Sequence, residues 1–134
     1  MICRMARILL VDDEPRIARA LEFALRNTGI ELSSLSDPGQ LEGTIELSPP
    51  DAILLDISLA GVDGLELCRR LKQNPIFRAI PVLLLSGQTG ADTKAAGFAA
   101  GADDFIGKPF VPTDLIARVQ AQVARRAQAE TPKQ

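Results

Sequence analysis

Asp12, Asp13, Asp56, Ser86 and Lys108 each close a hydrophobic run: the aspartate pair follows Ile8–Val11, Asp56 follows Ile53–Leu55, Ser86 follows Leu83–Leu85, and Lys108 ends Phe105-Ile106-Gly107. If these runs are neighbouring strands, the five side chains meet on one rim. Three carboxylates brought together repel and raise one another's pKa, so the cluster calls for a divalent cation. An all-oxygen donor set suits Mg²⁺ or Mn²⁺ far better than zinc. With the charge neutralised, one carboxylate can attack phosphorus and form an aspartyl phosphate. Charge developing on the phosphoryl oxygens then needs donors, which an ammonium, a hydroxyl and backbone N–H groups supply. The chain contains no histidine, which excludes a His general base, His metal ligands and a phosphohistidine carrier.

The elements that must position these groups are legible in the hydrophobic pattern. Apolar runs bounded by Asp, Gly and Pro recur at Arg7–Val11, Ile30–Leu35, Ala52–Leu59, Pro81–Leu85 and Phe105–Ile106. Between them apolar residues fall three or four apart, as in Ile17, Leu21, Ala24 and Leu25, in Leu67, Cys68 and Leu71, and in Leu115, Val119 and Val123. That is β-α repeated five times. Runs such as Val82–Leu85 do not alternate, as expected of parallel strands covered on both faces. A doubly wound sheet follows, and in such sheets the ligand site lies beyond the carboxyl ends of the strands. Asp37-Pro38 reads as an N-cap followed by a first-turn proline, and Gly29 and Gly101 read as C-terminal caps. Arg125-Arg126 reads as a solvated helix end.

At 134 residues and 46% hydrophobic content, one domain is expected. A net charge of −2 gives no broad basic surface for nucleic acid, so direct nucleic-acid binding is not expected. No run approaches a membrane span and Met1–Arg7 lacks a secretory pattern, so the expected location is the cytoplasm. Cys3 and Cys68 suit reduced thiols without a role.

The chain resembles the response-regulator receiver domains of two-component signalling. The resemblance rests on Val-Asp-Asp-Glu-Pro (11–15), Leu-Leu-Asp-Ile-Ser-Leu-Ala-Gly-Val-Asp-Gly (54–64), Pro-Val-Leu-Leu-Leu-Ser-Gly (81–87) and Gly-Ala-Asp-Asp-Phe-Ile-Gly-Lys-Pro-Phe (101–110). It implies an α/β, flavodoxin-like (βα)5 fold with strand order 2-1-3-4-5, the order of the chemotaxis-type receivers. It implies that Asp56 accepts a phosphoryl group, that Asp13 and Asp56 bind the metal directly with Asp12 acting through water, and that Ser58 offers its backbone carbonyl. It further implies that Lys108 contacts the phosphoryl oxygens, that Ser86 donates its hydroxyl after phosphorylation, that Phe105 is a switch aromatic, and that Lys108-Pro109 is cis. The implied partners are a sensor histidine kinase or phosphotransfer protein upstream and an effector domain or protein downstream. No turnover on an external substrate is implied.

The expected domain is 6–126, with 127–134 a polar tail or the start of a linker. The chain is then either a stand-alone regulator or a receiver excised from a longer protein. The sequence departs from the family at Ala60, usually Pro, and at Gly87, usually Ala, while Ser58 and Gln88 fall on rim positions that tune dephosphorylation. Lys94 with Asp114 and Asp104 with Arg118 match cross-subunit ion pairs of receiver dimers, on the face of the fourth helix, fifth strand and fifth helix. A haloacid dehalogenase-type phosphatase is disfavoured because its nucleophile sits in an Asp-x-Asp motif on the first strand. A degenerate receiver acting as a phosphorylation-independent scaffold is the alternative, and it normally lacks an acid, the acceptor or the lysine.

Overall fold

The computed structural model describes residues 6–59 and 61–130, with side chains to 127, so Cys3, Ala60 and the segment 131–134 lie outside the described residues. Along the chain run β1 (Arg7–Val11), α1 (Pro15–Ala24), β2 (Glu31–Leu35), α2 (Leu41–Leu47), β3 (Ala52–Asp56), α3 (Gly64–Gln73), β4 (Val82–Ser86), α4 (Ala91–Ala99), β5 (Asp104–Gly107) and α5 (Pro112–Glu130). The five strands, so numbered, pair in parallel in the order β2-β1-β3-β4-β5, the doubly wound order expected.

Period-two alternation sends neighbouring side chains of each strand into two different cores. Leu9, Val11, Ile53, Leu55, Val82 and Leu84 pack against Leu41 and Ile45 of α2 and Leu67 and Leu71 of α3. Ile8, Leu10, Ala52, Leu54, Leu83 and Leu85 pack against Leu21 of α1 and Leu115 and Val119 of α5. Both faces of the central strands are therefore dry, and the continuous apolar runs follow from that.

Three local features differ from the sequence expectation. The run 52–59 is not one strand: β3 ends at Asp56, and Ser58–Leu59 pairs antiparallel with Val62–Asp63 as a short hairpin. Ile57 N–H still reaches Leu85 O at 2.9 Å, but Gly61, at φ 73°, turns the chain back. Gly101 follows the C-cap residue Ala100 of α4 at φ 97°, as a terminating glycine should, whereas Gly29 lies beyond a turn that continues after Ala24. Arg126 is not a simple solvated end, because Nη1 donates to Pro50 O at 3.3 Å.

Lys72 forms a link that sequence spacing does not reveal. Its Nζ donates to Arg78 O, Ile80 O and Asp103 Oδ2 at 2.9, 3.0 and 2.8 Å, and Asp103 Oδ2 also accepts from Val82 N–H at 2.8 Å. One ammonium thus ties the end of α3 to the starts of β4 and β5. Cys68 is buried with Sγ 3.7 Å from Ala100 O, and burial pushes its thiol up to about 11, which makes it unreactive.

Candidate functional site

Four of the five strands of the central sheet, all but β2, deliver functional groups at their carboxyl ends, because the parallel register aligns those ends. Val11 pairs with Leu55, Asp56 with Leu85 and Ser86 with Gly107, so the residues beyond them converge. Asp12, Asp13 and Asp56 place one carboxylate oxygen each within 4.8 Å of one another. Asp12 and Asp56 are buried and Asp13 is exposed, so the cluster opens to solvent on one side. Beside it a groove of about 300 Å³ runs between the start of α1 and the end of β2, past Arg19, Ser34 and Ser36.

Asp56 is fixed from both sides. Its Oδ1 accepts from Ser58 N–H at 2.9 Å and its Oδ2 from Lys108 Nζ at 2.8 Å. Lys108 Nζ also lies 3.7 Å from Asp12 Oδ2 and 3.9 Å from Glu14 Oε1. Burial alone would lower the lysine pKa, but the Asp56 hydrogen bond and the surrounding carboxylates outweigh it and raise the pKa. The Lys108-Pro109 bond is cis, as expected. The lysine backbone N–H donates to Ser86 O at 2.8 Å, joining the ends of β4 and β5.

Asp12 carries the least satisfied polar atom of the site. Oδ1 accepts from Glu14 N–H at 2.8 Å, while Oδ2 is buried without a hydrogen bond. Burial pushes the Asp12 pKa up, against the lowering by Glu14 N–H and Lys108, and Asp56 repulsion adds to the rise. A raised folded-state pKa means that the stability contributed by Asp12 is present below the ordinary carboxylate range and is lost as pH rises through the raised value. The ionised group is therefore a liability that Lys108, 3.7 Å away, offsets only in part. An orphaned buried oxygen in an all-oxygen acidic cluster fits a hard divalent ion.

A testable consequence is that Asp12→Asn stabilises the metal-free protein by about 1 kcal/mol. If the cluster binds Mg²⁺, the ion should stabilise the wild type through mass action, and the same substitution should remove most of that gain. Thermal unfolding with and without Mg²⁺ checks both signs. A metal-free variant that melts lower than the wild type would mean that interactions within the fold already satisfy Asp12.

Ser86 is buried, with its hydroxyl donating to Gln88 O at 2.9 Å and accepting from Gln88 N–H at 3.0 Å. Phe105 is buried on β5, on the core side shared with Leu84, and the ring edge faces Gly97 of α4. Ser58 lies on the rim, two residues past Asp56. On α4, β5 and α5, Lys94 is exposed, and Arg118 binds both Asp104, at 3.0 Å, and Asp114, at 3.1 Å, within the chain. Glu14, the neighbour of Lys108, is not among the residues that sequence reasoning singles out. Its position directly after the aspartate pair is the available signal.

A flavodoxin-like sheet with acids at the ends of β1 and β3 and a lysine at the end of β5 is the receiver class of two-component signalling. The chain belongs to the response regulator receiver domain family, whose profile matches residues 8–120. Among curated relatives, the phosphate regulon transcriptional regulatory protein PhoB of Pseudomonas aeruginosa is 41% identical over 118 residues, covering 88% of this chain and 52% of the relative. The DNA-binding response regulator MtrA of Mycolicibacterium smegmatis is 36% identical over 119 residues, covering 89% and 51%. The chain thus spans about half the length of these relatives. A solved receiver domain of a signal transduction histidine kinase from Syntrophus aciditrophicus superposes with TM-score 0.83 at 31% identity, covering 96% of this chain and 98% of that one. Among the described residues no helix is long and apolar enough to cross a membrane.

Proposed function

We propose that the chain is a phosphorylation switch in which Asp56 takes a phosphoryl group from a sensor histidine kinase, a phosphotransfer protein or a small phosphodonor. The observation that carries this reading is the buried Asp56 carboxylate, held at 2.8 Å by Lys108 inside the Asp12, Asp13 and Asp56 cluster. An Asp56 oxygen forms the new O–P bond as the P–N or P–O bond of the donor breaks and the leaving group takes the electron pair. Asp12, Asp13, Asp56 and the Ser58 carbonyl would hold Mg²⁺, or Mn²⁺, which when bound withdraws charge from the phosphoryl oxygens. Lys108 moves its hydrogen bond from carboxylate to phosphoryl oxygen. The direct test is labelling by acetyl phosphate with Mg²⁺ and with excess EDTA. Undiminished labelling in EDTA would remove the metal from the scheme.

Ser86 must exchange its Gln88 carbonyl for a phosphoryl oxygen, drawing the β4-α4 loop toward Asp56 and opening space for Phe105. The output face is then α4-β5-α5, shifted in population rather than refolded. A symmetric dimer through that face would use Lys94 with Asp114 and Asp104 with Arg118, each pair occurring twice. Both acids first have to release Arg118 of their own chain, and exposed ion pairs contribute only about 0–1 kcal/mol each. Beryllofluoride with Mg²⁺ is expected to shift NMR signals in α4, β5 and α5 and to raise the sedimentation coefficient. Shifts confined to the pocket would remove the coupling, and a monomer in both states at high micromolar concentration would remove the dimer.

Residues 6–126 form the receiver unit in this reading, with 127–134 a polar tail or the start of a linker; the helix itself runs to Glu130. The unit acts in the cytoplasm on an effector domain or protein. It makes no direct contact with nucleic acid and turns over no external substrate.

A further inference from the structure

Glu14 faces Lys108 at the edge of the acidic cluster. It is the N-cap residue of α1, yet its side chain makes no capping hydrogen bond, and the carboxylate is half exposed at 3.9 Å from Lys108 Nζ. Asp12, Asp56 and Glu14 face one ammonium, and Asp13 brings the carboxylates of the pocket to four. Even with a divalent ion bound, the pocket keeps one negative charge. Three of those carboxylates have roles in binding the metal or accepting the phosphoryl group. Glu14 supplies the remaining charge, at the rim where a donor enters.

We infer that Glu14 is a specificity-determining residue that discriminates against highly charged small phosphodonors. The inference rests on the phosphoacceptor reading of Asp56 above. An incoming dianion meets the Glu14 carboxylate before it reaches the metal and Lys108. A donor carrying less negative charge meets a smaller barrier, so the field of Glu14 changes the ratio of the two rates. Small anionic acyl phosphates in solution are thereby held back from Asp56. A protein donor that covers the rim delivers its phosphoryl group from a docked position and is less affected.

Initial labelling rates of the whole chain should be measured at saturating Mg²⁺ with acetyl phosphate, a dianion, and with phosphoramidate, a zwitterion with one negative charge fewer. The comparison covers the wild type, Glu14→Asp, Glu14→Gln and Glu14→Lys. The ratio of acetyl phosphate to phosphoramidate rates is expected to rise about three-fold in Glu14→Gln, further in Glu14→Lys, and to stay unchanged in Glu14→Asp. The rise should shrink at high salt. Because each variant serves as its own reference, a partly unfolded preparation leaves the ratio untouched. A ratio that does not change with charge, or a rise that persists in high salt, overturns the inference. If neither donor labels the wild type, the phosphoacceptor reading fails and this inference fails with it; if labelling is normal and the ratio flat, only the inference fails.

Discussion

Asp56→Asn is expected to bring phosphoryl incorporation from acetyl phosphate, or from a cognate kinase, down to background. The amide lacks the charge and nucleophilicity of the carboxylate, and no other strand end in the described residues offers a buried acid beside Lys108 at hydrogen-bond distance. Asp12 comes nearest, but its oxygen lies 3.7 Å from the ammonium, against 2.8 Å for Asp56. The fold should survive the change. Asparagine is isosteric, its carbonyl oxygen can still accept from Ser58 N–H, and Lys108 keeps Asp12 and Glu14 as counter-charges. Intact-mass measurement after reaction checks the outcome, with circular dichroism as the folding control. Full labelling of the variant would place the acceptor elsewhere and overturn the assignment.

Gly64→Ala is expected to destabilise the protein by about 3 kcal/mol, the upper part of the range for overpacking a tight core site. Gly64 is the first residue of α3, and its N–H reaches back to Ile57 O at 3.1 Å. A Cβ at this position would sit 2.5 Å from Asp56 O and 2.6 Å from Ile57 Cα. Those are backbone atoms and cannot rotate away, so either the start of α3 or the Asp56-Ile57 segment has to move. The helix propensity gained by replacing glycine with alanine is about 1 kcal/mol, too little to offset the clash. Urea unfolding measures the loss directly. Gly43→Ala provides the control of opposite sign, because Gly43 lies in α2 with no atom within 4 Å of the added Cβ. A midpoint for Gly64→Ala equal to that of the wild type would show that the Asp56 loop is more compliant than its packing implies. Slower labelling beyond the loss of folded protein would show the acceptor itself displaced.

The close approach at Gly64 marks where sequence patterns stop being informative. Residues adjacent along the chain, or placed at the ends of apolar runs, can be assigned because hydrophobic period and strand-end position are local properties. The five β-α units and the strand-end positions of Asp12, Asp13, Asp56, Ser86 and Lys108 are legible in that way. The bend that ends β3 at Asp56 is not, since an apolar run through Leu59 carries no mark of where its hydrogen bonds leave the sheet.

What the sequence by itself determined, then, is the class of fold and the chemical inventory of one rim, because a parallel sheet with both faces covered imposes its own residue pattern. Only the tertiary structure decided which partner each group takes. Arg118 binds Asp104 and Asp114 of its own chain rather than waiting unpaired for a second copy. Lys72 joins three backbone segments through Asp103, and Arg126 caps the carbonyl of Pro50, which is 76 residues away. Glu14 turns to Lys108 instead of capping α1, and one oxygen of Asp12 is buried without a hydrogen bond. Each of these is a choice among partners distant in sequence. Such choices are set by packing distances of a few ångströms and by the cost of burying charge, and neither is encoded in the spacing of residues along the chain.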